Sequence, residues 1–274
     1  MKSITLSSPP AVVRVHDLPG GGIPLVFVHG LGCASSCDYP RIAYDPALSW
    51  RHAVLVDLLG SGFSDRPPEF DYSVEAHARV VVAVINALAL PVLDLYGHSM
   101  GGAIAIEVAT MLSTRVCHLI LSEPNLDAGG GSFSRMVAAQ TEAEFSERGY
   151  AETIREATTS GHHTLAGSIA LTAPFAAHRA AVSLVRGGSP SWRDQLLSLA
   201  AHRTVLFGAH SLPDPDAESL PQGGIAVAVI AQASHFMAWE NPSGLAAAIA
   251  TACSQPVTIP GTTTAAFQVT SPED

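Results

Sequence analysis

Tyr96-Gly97-His98-Ser99-Met100-Gly101-Gly102 is the stretch on which the reading of this chain turns. An apolar run, Val92-Leu93-Asp94-Leu95-Tyr96, leads into it, and an Ala/Ile/Val-rich segment from Gly101 to Ser113 leads out. The first suits a buried strand and the second a buried helix, so Ser99 falls on a sharp strand-to-helix turn that the glycines leave room for. Such a turn exposes the serine side chain and aims a helix N-terminus at the reaction centre. G-x-S-x-G alone is a weak pattern. Its place between strand and helix is what makes Ser99 a candidate nucleophile rather than part of a structural turn.

Working outward, short aliphatic runs bounded by Gly, Pro or Asp recur at Val12–Val15, Pro24–Val28, Ala53–Val56, Cys117–Leu121, Thr204–Phe207 and Ile225–Ile230. Their continuity suits strands covered on both faces, as in a mostly parallel sheet. Helix-like segments alternate with them: Glu75 to Leu90 behind a Ser73 cap, Gly101 to Ser113, and Ser243 to Cys253 after Asn241-Pro242. Strands alternating with helices predict a three-layer α/β domain. The alternation stops between about Asp127 and Ser191, where Ser134 to Arg148, Tyr150 to Thr159 and Ala166 to Val185 are compatible with helices. The expected organisation is a core of residues 1–127 and 191–254, a helical cap insertion at 128–190, and a C-terminal extension at 255–274.

Composition narrows the function classes. The chain has 274 residues, 47% of them hydrophobic, and a formal charge of −10 with only 14 Lys and Arg. That is enough apolar material for one large core, and no basic run offers a polyanion a footing. Nucleic acid is therefore not expected as a partner. The N-terminus lacks an apolar leader, and no segment approaches the ~18 uninterrupted apolar residues of a membrane span, so a cytoplasmic location is expected. Cys33, Cys37, Cys117 and Cys253 lack zinc-site spacing and read as free thiols. His162-His163 has no nearby carboxylate or cysteine and reads as surface, so no metal and no cofactor is expected.

A serine nucleophile needs an oxyanion hole and a base. The loop Val28-His29-Gly30-Leu31-Gly32 follows an earlier strand, and the backbone amides of Leu31 and Met100 are the expected oxyanion donors. His29, on that loop, reads as a supporting residue. The expected base is His235, in Ala233-Ser234-His235-Phe236-Met237, between the last strand and the final helix. A histidine there reaches back over the sheet toward Ser99.

These stretches resemble the α/β-hydrolase superfamily over roughly Val12 to Cys253. The resemblance rests on His29-Gly30, on Asp57-Leu58-Leu59-Gly60-Ser61-Gly62-Phe63-Ser64-Asp65-Arg66-Pro67, on the turn at Ser99, and on Ser234-His235-Phe236-Met237 through Glu240-Asn241-Pro242. It implies an α/β-hydrolase fold, an eight-stranded, mostly parallel sheet flanked by helices with a small helical cap. One element departs from the family's pattern. The acid most members carry after the strand ending at Phe207 is replaced by Ser211, in Gly208-Ala209-His210-Ser211. Asp214 and Asp216 follow a few residues later, each beside a proline. Some branches carry the acid one strand earlier, among them haloalkane dehalogenases and, with a serine nucleophile, zearalenone lactone hydrolases, to which the chain bears a distant likeness. That position is Glu123, in Leu121-Ser122-Glu123-Pro124-Asn125. The acid is expected at Glu123, with Asp214 as the alternative, and Asp216 or no acid behind it.

The region 128–190 carries Phe133, Met136, Phe145, Tyr150 and Phe175, with Trp192 just beyond it, and some of these six side chains are expected to line an apolar pocket. The expected activity is hydrolysis of a small apolar carboxylic ester or lactone through an acyl-enzyme, with a homodimer left open. The alternatives are a hydrolase-fold ligand receptor with little turnover, a cofactor-free perhydrolase, and a carbon–carbon bond hydrolase.

Overall fold

In the computed structural model, which describes residues 1–256, a single sheet forms the middle layer. Its strands are β1 (Lys2–Ser7), β2 (Pro10–Leu18), β3 (Gly21–Val28), β4 (Arg51–Val56), β5 (Leu93–His98), β6 (Val116–Ser122), β7 (His202–Gly208) and β8 (Ala226–Ile230), in spatial order β1-β2-β4-β3-β5-β6-β7-β8. β1 and β2 pair antiparallel with their neighbours, and every pairing from β4 across to β8 is parallel. The seven aliphatic runs are all strands. β1 escaped the sequence reading because Lys2-Ser3-Ile4-Thr5-Leu6-Ser7 alternates polar and apolar at an edge, with Leu6 buried and its neighbours exposed.

The helices are α1 (Ser35–Asp38), α2 (Pro40–Ala43), α3 (Val74–Ala87), α4 (Met100–Leu112), α5 (Ser132–Ala138), α6 (Glu142–Glu144), α7 (Tyr150–Thr159), α8 (His163–Ile169), α9 (Pro174–Arg186), α10 (Trp192–Ser198), α11 (Pro215–Ser219), α12 (Met237–Glu240) and α13 (Pro242–Ala252). Ser73 caps α3 by accepting a hydrogen bond from Ala76 N–H at 3.1 Å. Asn241 caps α13 through Gly244 N–H at 2.9 Å, with Pro242 at the first helical position. On one face of the sheet, α3, α4, α9 and α10 close a core that includes Val28, Val56, Leu95, Ile104 and Trp192. On the other, α2 and α13 cover Leu25, Phe27, Tyr96 and Ile120, where the rings of Phe27, Tyr39 and Tyr96 meet at 5.3 to 5.5 Å.

Between β6 and β7 the chain is helical: α5 to α9 fall where the alternation breaks, and α10 follows beyond that stretch. Two of the expected helices are interrupted. The segment from Ser134 to Arg148 stops at Ala138, and a capping box between Thr141 and Glu144 restarts it. Ala166 to Val185 divides at Ala170–Ala173, because Pro174 has no N–H to continue a helix and opens α9 instead. Among the described residues no single helix is long and apolar enough to cross a membrane. Beyond Pro256, the extension expected at 255–274 falls outside the described residues.

Candidate active site

Ser99 leaves β5 with φ 54° and ψ −118°, a conformation rare for a side-chain-bearing residue, and α4 starts at Met100. Strain of this kind costs on the order of 1–3 kcal/mol and persists only where the surroundings impose it. Here they do: a Cβ on Gly97 would stand 2.3 Å from the Gly101 carbonyl oxygen, and one on Gly101 would stand 2.3 Å from that of Val28. Only glycines let the helix start that close to the strands. Ser99 N–H donates to Ser122 O at 2.9 Å, which ties the turn to the next strand. Its side chain faces a cavity of about 700 Å³.

Glu123 and His235 line the same cavity. His235 Nδ1 lies 2.7 Å from Glu123 Oε2. With a carboxylate as acceptor, the proton sits on Nδ1 and leaves Nε2 free to accept. Glu123 directly follows β6, with a left-handed φ of 38°, and its N–H donates to Leu206 O at 3.0 Å. Its second oxygen accepts Gly208 N–H at 2.9 Å, and the Ser211 hydroxyl donates to the same carboxylate. Burial pushes the Glu123 carboxyl up, but the hydrogen bonds from His235, Gly208 and Ser211 outweigh it, so its pKa lies below the ordinary value. Ser211, which stands where the family's usual acid would be, thus serves an acid carried by the neighbouring strand.

Asp214 does not reach His235. Its carboxylate caps α11, accepting Asp216 N–H at 2.8 Å, and Asp216 pairs with Arg193 at 2.9 Å. Both line the same cavity as Glu123 and His235, and neither is hydrogen-bonded to that pair. Leu31 lines it as well, and Met100 is the first residue of α4, so its N–H has no partner inside the helix. No hydrogen bond joins the Ser99 hydroxyl to His235 among the described residues. In free enzymes such contacts are commonly long and tighten with substrate.

The remaining histidines sort by their partners. His29 Nε2 accepts Leu58 N–H at 3.1 Å, so its proton is on Nδ1, 2.9 Å from Gly30 O. It braces two loops and is buried away from the cavity, as a supporting residue should be. His98 donates from Nε2 to the carbonyl of His235 at 2.9 Å, and burial, with the neighbouring His235, pushes its pKa down to about 3. A neutral His98 therefore holds the His235 loop, a role its place inside the Ser99 motif did not reveal. His162 is exposed but lines the cavity. All four cysteines are free; Cys33 lines the cavity, and burial followed by the nearby Asp38 raises its pKa well above that of an ordinary thiol.

One group of potential metal ligands comes together among the described residues: Asp94, His118 and Cys253, with ligand atoms within 4.8 Å of one another. It lies at the start of β5, the end opposite Ser99. The Arg51 guanidinium already occupies Asp94 Oδ2 at 2.5 Å, and His118 Nδ1 takes the other oxygen at 2.7 Å. A metal ion there would face a fixed positive charge, so the group reads as a buried ion pair, in which Arg51 Nε alone is left without a partner among the described residues.

The alpha/beta hydrolase fold family matches residues 23–242. The chain belongs to that family. Among curated relatives, it is similar to 2-hydroxy-6-oxo-2,4-heptadienoate hydrolase of Pseudomonas putida, 35% identical over 109 residues that span 39% of each protein. It is also similar to Lipase 1 of Psychrobacter immobilis, 34% identical over 110 residues, 40% of this chain and 34% of the lipase. The chain thus matches about two fifths or less of the length of these relatives. A solved structure, a thermophilic esterase from Thermogutta terrifontis, superposes with a TM-score of 0.73 at 23% identity, covering 91% of this chain and 97% of the esterase.

Proposed function

We propose that the protein is a serine hydrolase that cleaves an apolar carboxylic ester or lactone through an acyl-enzyme. The observation that carries this is the 2.7 Å hydrogen bond from His235 Nδ1 to Glu123, next to a serine held in a strained turn at the mouth of a helix N-terminus. In this reading Ser99 Oγ attacks the carbonyl carbon while its proton passes to His235 Nε2. The amides of Leu31 and Met100 receive the oxyanion. The tetrahedral adduct collapses, the carbon–oxygen bond to the alcohol breaks, and His235 returns the proton to the leaving oxygen. Water repeats the sequence and frees the acid. Glu123 holds the histidine in the tautomer that can accept and pairs with the imidazolium it becomes.

Substrate class follows from the lining. Leu31, Phe133, Met136, Leu165, Ile169 and Phe236 supply the apolar wall; among the described residues neither lysine nor arginine lines the cavity, Asp216 there is paired with Arg193 behind it, and Glu156 and Asp214 add negative charge. A carboxylate-bearing substrate would be repelled there. This favours an uncharged ester or lactone over an anion such as the heptadienoate in the name of the Pseudomonas putida relative. The helices within 128–190 serve as the cap: Phe133, Thr153, Leu165 and Ile169 line the same cavity as Ser99, with the core in 1–127 and 191–254. The test is labelling with a fluorophosphonate and turnover of p-nitrophenyl esters by wild type and Ser99→Ala. Labelling and turnover that vanish in the variant are expected. An unlabelled wild type, beside a labelled control esterase, refutes the reading.

A further inference from the structure

Asp38, the last residue of α1, is a buried carboxylate, 5% exposed, that joins no ion pair among the described residues. It accepts hydrogen bonds from three separate segments. Cys33 and the Ala34 N–H come from the loop that carries Leu31. Ser168 Oγ, in α8, lies 3.4 Å from Oδ1. Trp239 Nε1, in α12, lies 3.1 Å from the same oxygen. Each segment supplies part of the candidate site. Leu31 is two residues before Cys33, Ile169 beside Ser168 faces the cavity, and Trp239 is four residues after His235. Trp239 also stacks on Phe236 with ring centroids 4.8 Å apart and planes 6° apart, so its position fixes the residue next to His235. A cavity of about 10 Å³, lined by Cys33, Asp38, His98, His235, Phe236 and Trp239 among others, lies between the carboxylate and the histidines.

An apolar side chain would fill this place without the desolvation cost that an uncompensated carboxylate carries. No apolar side chain could accept hydrogen bonds from three segments at once. We propose that Asp38 is a positioning residue, whose carboxylate holds the Leu31 loop, the α8 helix and the His235 loop in one arrangement around Ser99. The inference rests on the serine-hydrolase reading for its catalytic consequence, and on geometry alone for the tie itself. Burial raises the Asp38 carboxyl to about pH 6, against the hydrogen bonds from Trp239, Cys33, Ala34 and Ser168 that favour its charged form. The titratable groups that face it are Cys33 and Cys37 on its own loop, Tyr39 beside it, Tyr96 from β5, and His98 and His235 across the small cavity. None is a permanent cation. Protonation below about pH 6 therefore weakens the tie.

Three variants separate positioning from general stability. Trp239→Phe keeps the stack on Phe236 and removes one donor from the His235 loop; kcat on a p-nitrophenyl ester is expected to fall about tenfold with KM within about twofold, since misplacing a catalytic group by about 1 Å costs up to about 10²-fold. Ser168→Ala releases only the α8 side and is expected to raise KM with kcat unchanged. Asp38→Asn is expected to do both. In ¹⁵N spectra, the Trp239 indole N–H resonance, identified by its loss in Trp239→Phe, should titrate with a midpoint near pH 6 in wild type and stay flat in Asp38→Asn. Unchanged constants, losses in kcat and KM that merely follow melting temperature, or a Trp239 resonance that ignores Asp38, each overturn the proposal. If the wild type turns over no ester while the resonance titrates as expected, the hydrolase reading fails and the tie stands.

Discussion

Replacing Glu123 by glutamine changes one atom type and tests the arrangement at its centre. The carboxylate has two acceptor oxygens in use, one facing His235 Nδ1 at 2.7 Å and one facing Gly208 N–H at 2.9 Å. Glutamine can keep only one acceptor. If its oxygen stays on Gly208, its amide donates to Nδ1, and the His235 proton moves to Nε2, the atom that must accept from Ser99. If it flips, two N–H groups face each other at Gly208. The first arrangement is the less costly, so the variant folds with the imidazole in the wrong tautomer. A triad acid changed to its amide costs on the order of 10⁴ in kcat, or about 5 kcal/mol of transition-state stabilisation. The assay is steady-state hydrolysis of a p-nitrophenyl ester by Glu123→Gln and Asp214→Asn in parallel, with folding checked by circular dichroism. Glu123→Gln is expected to lose about 10⁴-fold, and Asp214→Asn less than about threefold. A Glu123→Gln enzyme within tenfold of wild type, with Asp214→Asn crippled, would refute the reasoning and return the acid to the loop after β7.

Three further outcomes follow from named contacts. Ser211→Ala removes one of the hydrogen bonds on the Glu123 carboxylate and leaves the other two, so kcat should fall by less than about tenfold, the scale of one such bond at about 1 kcal/mol. Asp94→Ala strands the Arg51 guanidinium and His118 without their acceptor, at an expected cost of about 3–5 kcal/mol in chemical denaturation, with kcat at low temperature unchanged because the pair lies at the far end of the strands. Stability should also fall with acidification. Burial holds His77 and His98 neutral down to about pH 3, so below the ordinary histidine value near 6.5 the unfolded chain binds two protons that the folded chain refuses. Asp38, raised to about 6, opposes this by binding one proton in the folded state before the unfolded carboxyl does. His29, also held below the ordinary value by burial, adds to the fall, so stability between about pH 4 and 6 should decline by at least about 1.4 kcal/mol per pH unit, the slope of the one net proton from the first three groups, and more steeply in Asp38→Asn. Melting curves across pH 4 to 7 that are flat in both proteins would contradict it.

Much of the arrangement was legible because it is local. Aliphatic runs covered on both faces identify themselves as strands of a parallel sheet, and glycines at 97 and 101 announce a turn that no Cβ would permit. Ser73 and Asn241 announce helix starts by their own side-chain chemistry. Where periodicity is the only signal, boundaries blur: β1 is too polar to stand out, and α8 and α9 look continuous until Pro174 is weighed.

What the sequence by itself determined, then, is the order of strands and helices, the turn that exposes Ser99, and the absence of an aspartate from the usual loop. Which side chains meet was decided only by the tertiary structure. Glu123 and His235 are 112 residues apart, and Asp38 and Trp239 are 201 apart, yet each pair is joined by one hydrogen bond. Sequence patterns report how a segment covers its own backbone and its own apolar face. A hydrogen bond between distant loops depends instead on where the packed sheet delivers the ends of its strands, and that is a property of all the layers at once.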